Sequence, residues 1–171
     1  MGNSIRLALA PDSDLRAFTG APRTLRAWLR YPRPIPDVSL RECWEDLDAL
    51  LASVAGPGAG SPLRPQSADY TYPFAADHGA FALSSTRTQE LLASLEGLTP
   101  DRVEAYVRER QEHRSAIAGG GSARSSEGEG IPDTEKLLHC LARLRECCAL
   151  AVAKRYGLLM TRTEEPSVRQ E

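Results

Sequence analysis

Apolar residues recur with two different periods along this chain, and the alternation between them lays out the elements. From Ser4 to Ala10 the period is two: Ile5, Leu7 and Leu9 alternate with Arg6 and Ala8, which predicts a half-buried first strand. Pro11-Asp12-Ser13-Asp14 then supplies turn and N-cap chemistry, so a short helix is expected over Leu15 to Thr19, stopped at Gly20. A second short helix covers Arg23 to Tyr31. It is ended by Pro32-Arg33-Pro34-Ile35-Pro36, because the proline rings remove N–H donors and push the preceding residues out of the helical region.

Two longer stretches carry the 3.6-residue period. Ser39-Leu40-Arg41-Glu42 has the form of a capping box, in which Ser39 accepts from a first-turn N–H while Glu42 reaches back. The helix it would open puts Leu40, Cys43, Trp44, Leu47, Leu50, Leu51 and Val54 on one face, with Glu42, Glu45 and Asp46 elsewhere. Truncating a buried Trp44 would cost about 3 kcal/mol or more. The second stretch starts at Asp133. Leu137, Cys140, Leu141, Leu144, Cys147, Cys148, Ala151 and Val152 form a continuous stripe, with Glu135, His139 and Glu146 opposite. Gly157 is expected to end this helix in the left-handed conformation, and Leu158-Leu159-Met160 to be a short buried strand. The stripe calls for a partner, and the helix led by Ser39 is the expected one.

Between these helices the signals are weaker. Tyr70-Thr71-Tyr72 and Ala80-Phe81-Ala82-Leu83 are candidate strands, and Ser84 is a candidate N-cap for a helix with Leu91, Leu92 and Leu95 inward. Gly97 closes that helix and Thr99-Pro100 opens the next. Val103, Tyr106, Val107 and Ile117 make a thin stripe there, while residues 108–114 are nearly all polar, so the far end should project. Gly56 to Gln66 and Ala118 to Gly130 have loop and linker compositions. The expected organisation is a helix-rich α+β single domain over residues 1–162, with flexible loops at 55–69 and 118–131 and a solvated tail at 163–171.

Composition narrows the class. A 171-residue chain with 42% hydrophobic and 26% charged residues can bury a sizeable core, and a formal charge of −2 disfavours general nucleic-acid binding. No apolar run approaches the roughly 20 residues that cross a bilayer. Met1-Gly2-Asn3-Ser4-Ile5 lacks the basic and apolar regions of a secretion signal, and Arg6 stands where N-myristoylation needs Ser or Thr. A cytoplasmic protein without a membrane partner is therefore expected.

The cysteines offer the most tempting chemistry. Cys140 and Cys147 are two turns apart on one helix, about 10.5 Å along the axis. That is too far for a shared metal at thiolate distances or for an intrahelical disulfide. With no C-x-x-C spacing and His139 pointing away, the expectation is packed thiols and no metal or cofactor. A contact from Cys43 to a cysteine of the last helix stays open. Asp77-His78 with Ser84, Ser85 and Thr86 superficially offers acid, base and nucleophile, but no G-x-S-x-G elbow positions them, and Asp-His-Gly is ordinary turn chemistry. Gly119-Gly120-Gly121-Ser122 lacks the Gly-Lys-Ser/Thr ending of a phosphate loop.

Arginine is more telling. Arg23, Arg26, Arg30 and Arg33 recur at spacings of three, four and three opposite Leu25, Trp28 and Leu29, and residues 1–36 hold six Arg against Asp12 and Asp14. Guanidinium groups suit bidentate contacts to carboxylate or phosphate. A solvated helix face gives the same pattern, and Arg33 lies in the proline-rich break.

Three blocks resemble the YfbM-like family of small, mostly bacterial proteins of unknown function. They are Cys43-Trp44-Glu45-Asp46-Leu47-Asp48-Ala49-Leu50-Leu51, the aromatic segment and helix from Tyr72 to Leu98, and the helix, Gly turn and apolar strand from Leu137 to Met160. The resemblance implies an α+β fold whose N- and C-terminal strands share a small sheet packed by helices. The chain departs from the family in its Gly/Ser/Glu linker before the last helix and in Leu159-Met160, where a Trp is common. The family transfers no catalytic residues. The function expected is macromolecular interaction, of an antitoxin or immunity type that neutralises a toxin, through Arg23, Arg26 and Arg30 and the exposed end of the helix from Pro100. The alternative is a small hydrolase or ligand-binding protein using the Asp77-His78 loop, and nucleic-acid binding ranks third.

Overall fold

The structure, a computed structural model, describes residues 3–40, 44–56, 58, 60–72, 79–118 and 133–164. Its elements, in chain order, are β1 (Asn3–Pro11), α1 (Asp12–Gly20), α2 (Pro22–Arg30), β2 (Val38–Leu40), α3 (Trp44–Ala55), β3 (Tyr70–Tyr72), β4 (Ala80–Leu83), α4 (Ser85–Glu96), α5 (Pro100–Ala118), α6 (Thr134–Lys154) and β5 (Tyr156–Glu164), with a 3-10 turn at Pro65–Ser67. The helix-rich α+β class expected from the sequence is what forms.

The sheet has five antiparallel strands in the order β2-β1-β5-β4-β3. Its axis is the pairing of the two ends of the chain, in register from Asn3 opposite Glu164 to Pro11 opposite Tyr156. The expected short strand at Leu158–Met160 is thus the nine-residue centre of the sheet, and it runs through Glu164, past the predicted boundary at 162.

Both faces of the sheet are covered, which corrects the expectation of a half-buried first strand. On one face Ile5, Leu7, Leu9, Phe81, Leu83, Leu158 and Met160 join Trp44, Leu47, Leu91, Leu95, Val103, Leu141 and Leu144 from α3, α4, α5 and α6. On the other, Ala8, Ala10, Ala80, Ala82 and Leu159 lie under Leu15, Phe18 and Leu25 of α1 and α2. Small side chains on this second face let two short helices sit close to the strands. Phe18 fills the space against Trp28 (ring centroids 5.5 Å apart) and Tyr72 (6.4 Å), and the Tyr72 hydroxyl donates to the Leu15 carbonyl at 2.7 Å.

The α6 stripe is buried as its period requires, from Leu137 through Ala151. Asp133 caps the helix by accepting from the Glu135 and Lys136 N–H groups. The far end differs from expectation. Arg155, not Gly157, takes the left-handed conformation (φ 57°), and its N–H returns to the Ala151 and Val152 carbonyls. Gly157 is already in β5, where a Cβ would meet the Leu83 carbonyl at 2.4 Å and a Leu15 methyl at 2.5 Å. Its missing side chain permits the approach of α1 to the sheet.

The Ser39 capping box does not form. Ser39 sits in β2 opposite Arg6, and α3 begins at Trp44. A strand partner won over a local cap because β1 offered an unpaired edge. Ser84 does cap α4, accepting from the Arg87 N–H, and Thr99 Oγ1 accepts from the Arg102 N–H at the start of α5. Beside the α3–α6 contact expected from the stripe, α6 packs against α4 and α5. Arg145 of α6 donates to the Leu95 and Leu98 carbonyls at the end of α4. Among the described residues no helix is long and apolar enough to cross a membrane.

Candidate functional site

Helix α2 is built to present arginines. Pro22 starts it, where a missing N–H costs nothing, and Leu25 is fully buried against the second face of the sheet. Trp28 and Leu29 pack beside it, half-buried. With those residues turned inward, the helical period forces Arg23, Arg26 and Arg30 outward, and all three are exposed. Arg16 of α1 is exposed as well. Arg30 in the last turn complements the negative end of the helix dipole. Arg23 in the first turn opposes the positive end, and that turn has no acidic residue. Helix stability therefore accounts for Arg30 but not for Arg23.

Arg33 leaves this face. Its guanidinium lies over the Trp28 ring, 4.3 Å from the centroid, donates to the Trp28 carbonyl and pairs with Asp37, and its side chain is only 9% exposed. Arg6 of β1 pairs with the same Asp37. One carboxylate between two guanidinium groups thus fixes the proline-rich segment to the sheet edge. The exposed row on α2 is therefore three arginines long, Arg23, Arg26 and Arg30.

A second polar cluster lies on the opposite side of the sheet. Asp48 of α3 is 1% exposed and accepts from Arg64 Nε at 2.6 Å through one oxygen. Its other oxygen has no hydrogen-bond partner, and neither does Trp44 Nε1 nor Arg162 Nε. The Arg162 guanidinium carbon lies 5.1 Å from the Trp44 ring centroid. Sequence reasoning missed this cluster, although a signal existed: Asp48 falls four residues after Trp44, between Leu47 and Leu51, inside the apolar stripe.

The cysteines divide. Cys147 and Cys148 are buried free thiols. Burial pushes the Cys147 thiol up to about 12, helped by the Asp37 charge and opposed by Arg143. Burial raises Cys148 further, with Cys147 adding to it. Neither is a thiolate at neutral pH, so neither is a nucleophile. Cys140 is disulfide-bonded, which corrects the expectation that it is a packed thiol. Cys43 lies outside the described residues. His139 is exposed, opposite the stripe, as expected.

The acid–base–nucleophile reading falls partly outside the described residues. Asp77 and His78 lie outside the described residues, as do Gly119 to Ser122. Ser84 is occupied as a cap. Ser85 donates both its N–H and its hydroxyl to the Asp12 carboxylate, at 2.8 and 2.6 Å, which ties α4 to the start of α1. Among the described residues no group of three or more His, Cys, Asp or Glu side chains could hold a metal ion.

No family model matches the sequence, and no curated protein does. The fold, however, is that of a solved protein. The crystal structure of YfbM from Escherichia coli, a protein of unknown function, superposes with a TM-score of 0.58 over 95% of this chain and 100% of that one. The chain has a YfbM-like fold. Sequence identity is 10%, so the likeness concerns the fold alone.

Proposed function

We propose that this protein is an interaction module that docks an acidic surface of another protein through Arg23, Arg26 and Arg30, in the manner of an antitoxin or immunity protein neutralising a toxin. The observation that carries the reading is Arg23. It stands in the first turn of α2, where the helix dipole disfavours a cation, on a helix whose inward face is already fixed by Leu25 and Trp28. Three adjacent guanidinium groups held on a short, packed helix are preorganised for carboxylates. A net charge of −2 and an arginine cluster confined to one short helix favour a protein partner over a nucleic-acid backbone. The outer half of α5, where residues 108–116 are all exposed, offers a second contact. Kinship with the YfbM-like family belongs to the same proposal and is supported by the shared fold and the three sequence blocks.

Co-purification with the product of the adjacent gene tests the reading. Capture should fall as sodium chloride rises, because rim charges of this kind are screened within a Debye length of about 8 Å at physiological salt. Capture insensitive to salt would point to an apolar surface elsewhere.

The compartment belongs here too. The cytoplasm is the compartment expected from the sequence, whereas the Cys140 disulfide fits an oxidising one. Protein recovered from its host under thiol-blocking conditions distinguishes them, since a cytoplasmic pool should carry Cys140 reduced.

A further inference from the structure

The cluster around Trp44 holds a set of unmet hydrogen bonds that specify a ligand. Trp44 Nε1 and Arg162 Nε are donors, Asp48 has one accepting oxygen to spare, and all three atoms are buried and unpartnered. Trp44 is 5% and Asp48 1% exposed. Residues four apart on a helix stack one turn above the other, so Asp48 neighbours Trp44 on α3. Arg162 reaches the same place from β5, its guanidinium carbon 5.1 Å from the centre of the indole ring. Its backbone sits opposite Ile5, which orients the side chain toward the α3 face of the sheet.

The nearest cation does not complete Asp48. Arg64 uses its Nε on the other oxygen, and its side chain is 56% exposed, so the guanidinium extends toward solvent and not around the carboxylate. Leaving three such atoms dry is costly, and native structures almost always avoid it.

A single partner shared by the three atoms would accept from two N–H groups and donate to a carboxylate oxygen. An ammonium or metal cation accepts nothing, and a carboxylate or phosphate donates nothing when ionised. A neutral O–H group does both. Two lone pairs and two protons, in a place this deeply buried, describe one water molecule making the usual three hydrogen bonds. We propose that Trp44, Asp48 and Arg162 form a site for a single resident water, which joins the first turn of α3 to the end of β5.

Two measurements test this without altering the protein. A high-resolution crystal structure should show an ordered water within hydrogen-bond distance of Trp44 Nε1, Asp48 Oδ1 and Arg162 Nε. In solution, the chain has two tryptophans and hence two indole N–H resonances. That of Trp44 should show a cross-peak to water with the sign of a long-lived bound molecule, and Asp48→Leu, which removes the acceptor, should abolish it. The wild-type measurements stand alone if that variant does not fold. A dry site, direct bonds among the three side chains, or a cross-peak that persists in Asp48→Leu would overturn the proposal.

Discussion

Gly157 shows how a single residue can be read correctly as important and wrongly as to why. A glycine just after a helix looks like a left-handed cap, yet Arg155 takes that role two residues earlier. What Gly157 provides is room, with carbonyl and methyl neighbours where a Cβ would stand. Gly157→Ala is therefore expected to lose about 1–3 kcal/mol of stability, the usual cost of overpacking, measured by the urea midpoint. The cysteines divide in the same way. Periodicity placed Cys147 and Cys148 in the core, but spacing along one helix carries no information about a disulfide to a residue outside that helix. The Cys147 thiol is raised from an ordinary 9.0 to about 12. Its contribution to stability is complete below pH 9.0 and is lost as pH rises toward 12, because the unfolded chain ionises first. Stability should thus decline above pH 9.0, and an alkylating reagent at neutral pH should label both thiols no faster than the protein unfolds.

Among the elements, those with a strong period were legible and those decided by a partner were not. The α6 stripe predicted its buried face from Leu137 through Ala151, with Val152 only half-buried, and Ser84, Thr99 and Asp133 start their helices as their chemistry suggests. Ser39 failed as a cap because an open edge of β1 competed for the same residues, and no local pattern reports that competition. Asp48 escaped notice because periodicity identifies the buried face without asking which polar residues fall on it. Of the contacts between elements, the α3–α6 packing was expected, whereas those made by single polar side chains were invisible. Arg145 reads as one more polar residue of α6, yet it closes the end of α4 by donating to the Leu95 and Leu98 carbonyls. Arg145→Ala should cost about 1–3 kcal/mol, the usual cost of losing hydrogen bonds to a charged group. Hydrogen exchange should accelerate at the C-terminal turn of α4 before it does so elsewhere in that helix. Exchange that accelerates evenly along α4 would assign Arg145 a general packing role.

At the scale of the molecule, the two ends of the chain meet at the middle of the sheet, and helices cover both faces. That architecture lets α2 present its arginines from the face opposite α3 and α6, so the proposed contacts and the main core are separable. The Cys140 disulfide bears on the core: removing it by Cys140→Ser should lower stability by about 2–4 kcal/mol, and in non-reducing buffer only, as a melting comparison with and without reductant will show. The arginine face bears on function and should be changeable at almost no cost to folding, because surface substitutions of this kind usually stay within about 0.5 kcal/mol. The most direct measurement is the affinity of the adjacent gene's product for the wild type and for Arg23→Glu/Arg26→Glu/Arg30→Glu, with Arg143→Glu on α6 as the surface control. The docking account predicts that the triple variant folds with an unchanged melting temperature and binds at least tenfold more weakly, while the control binds as the wild type does. Equal affinity for the triple variant and the wild type would contradict it.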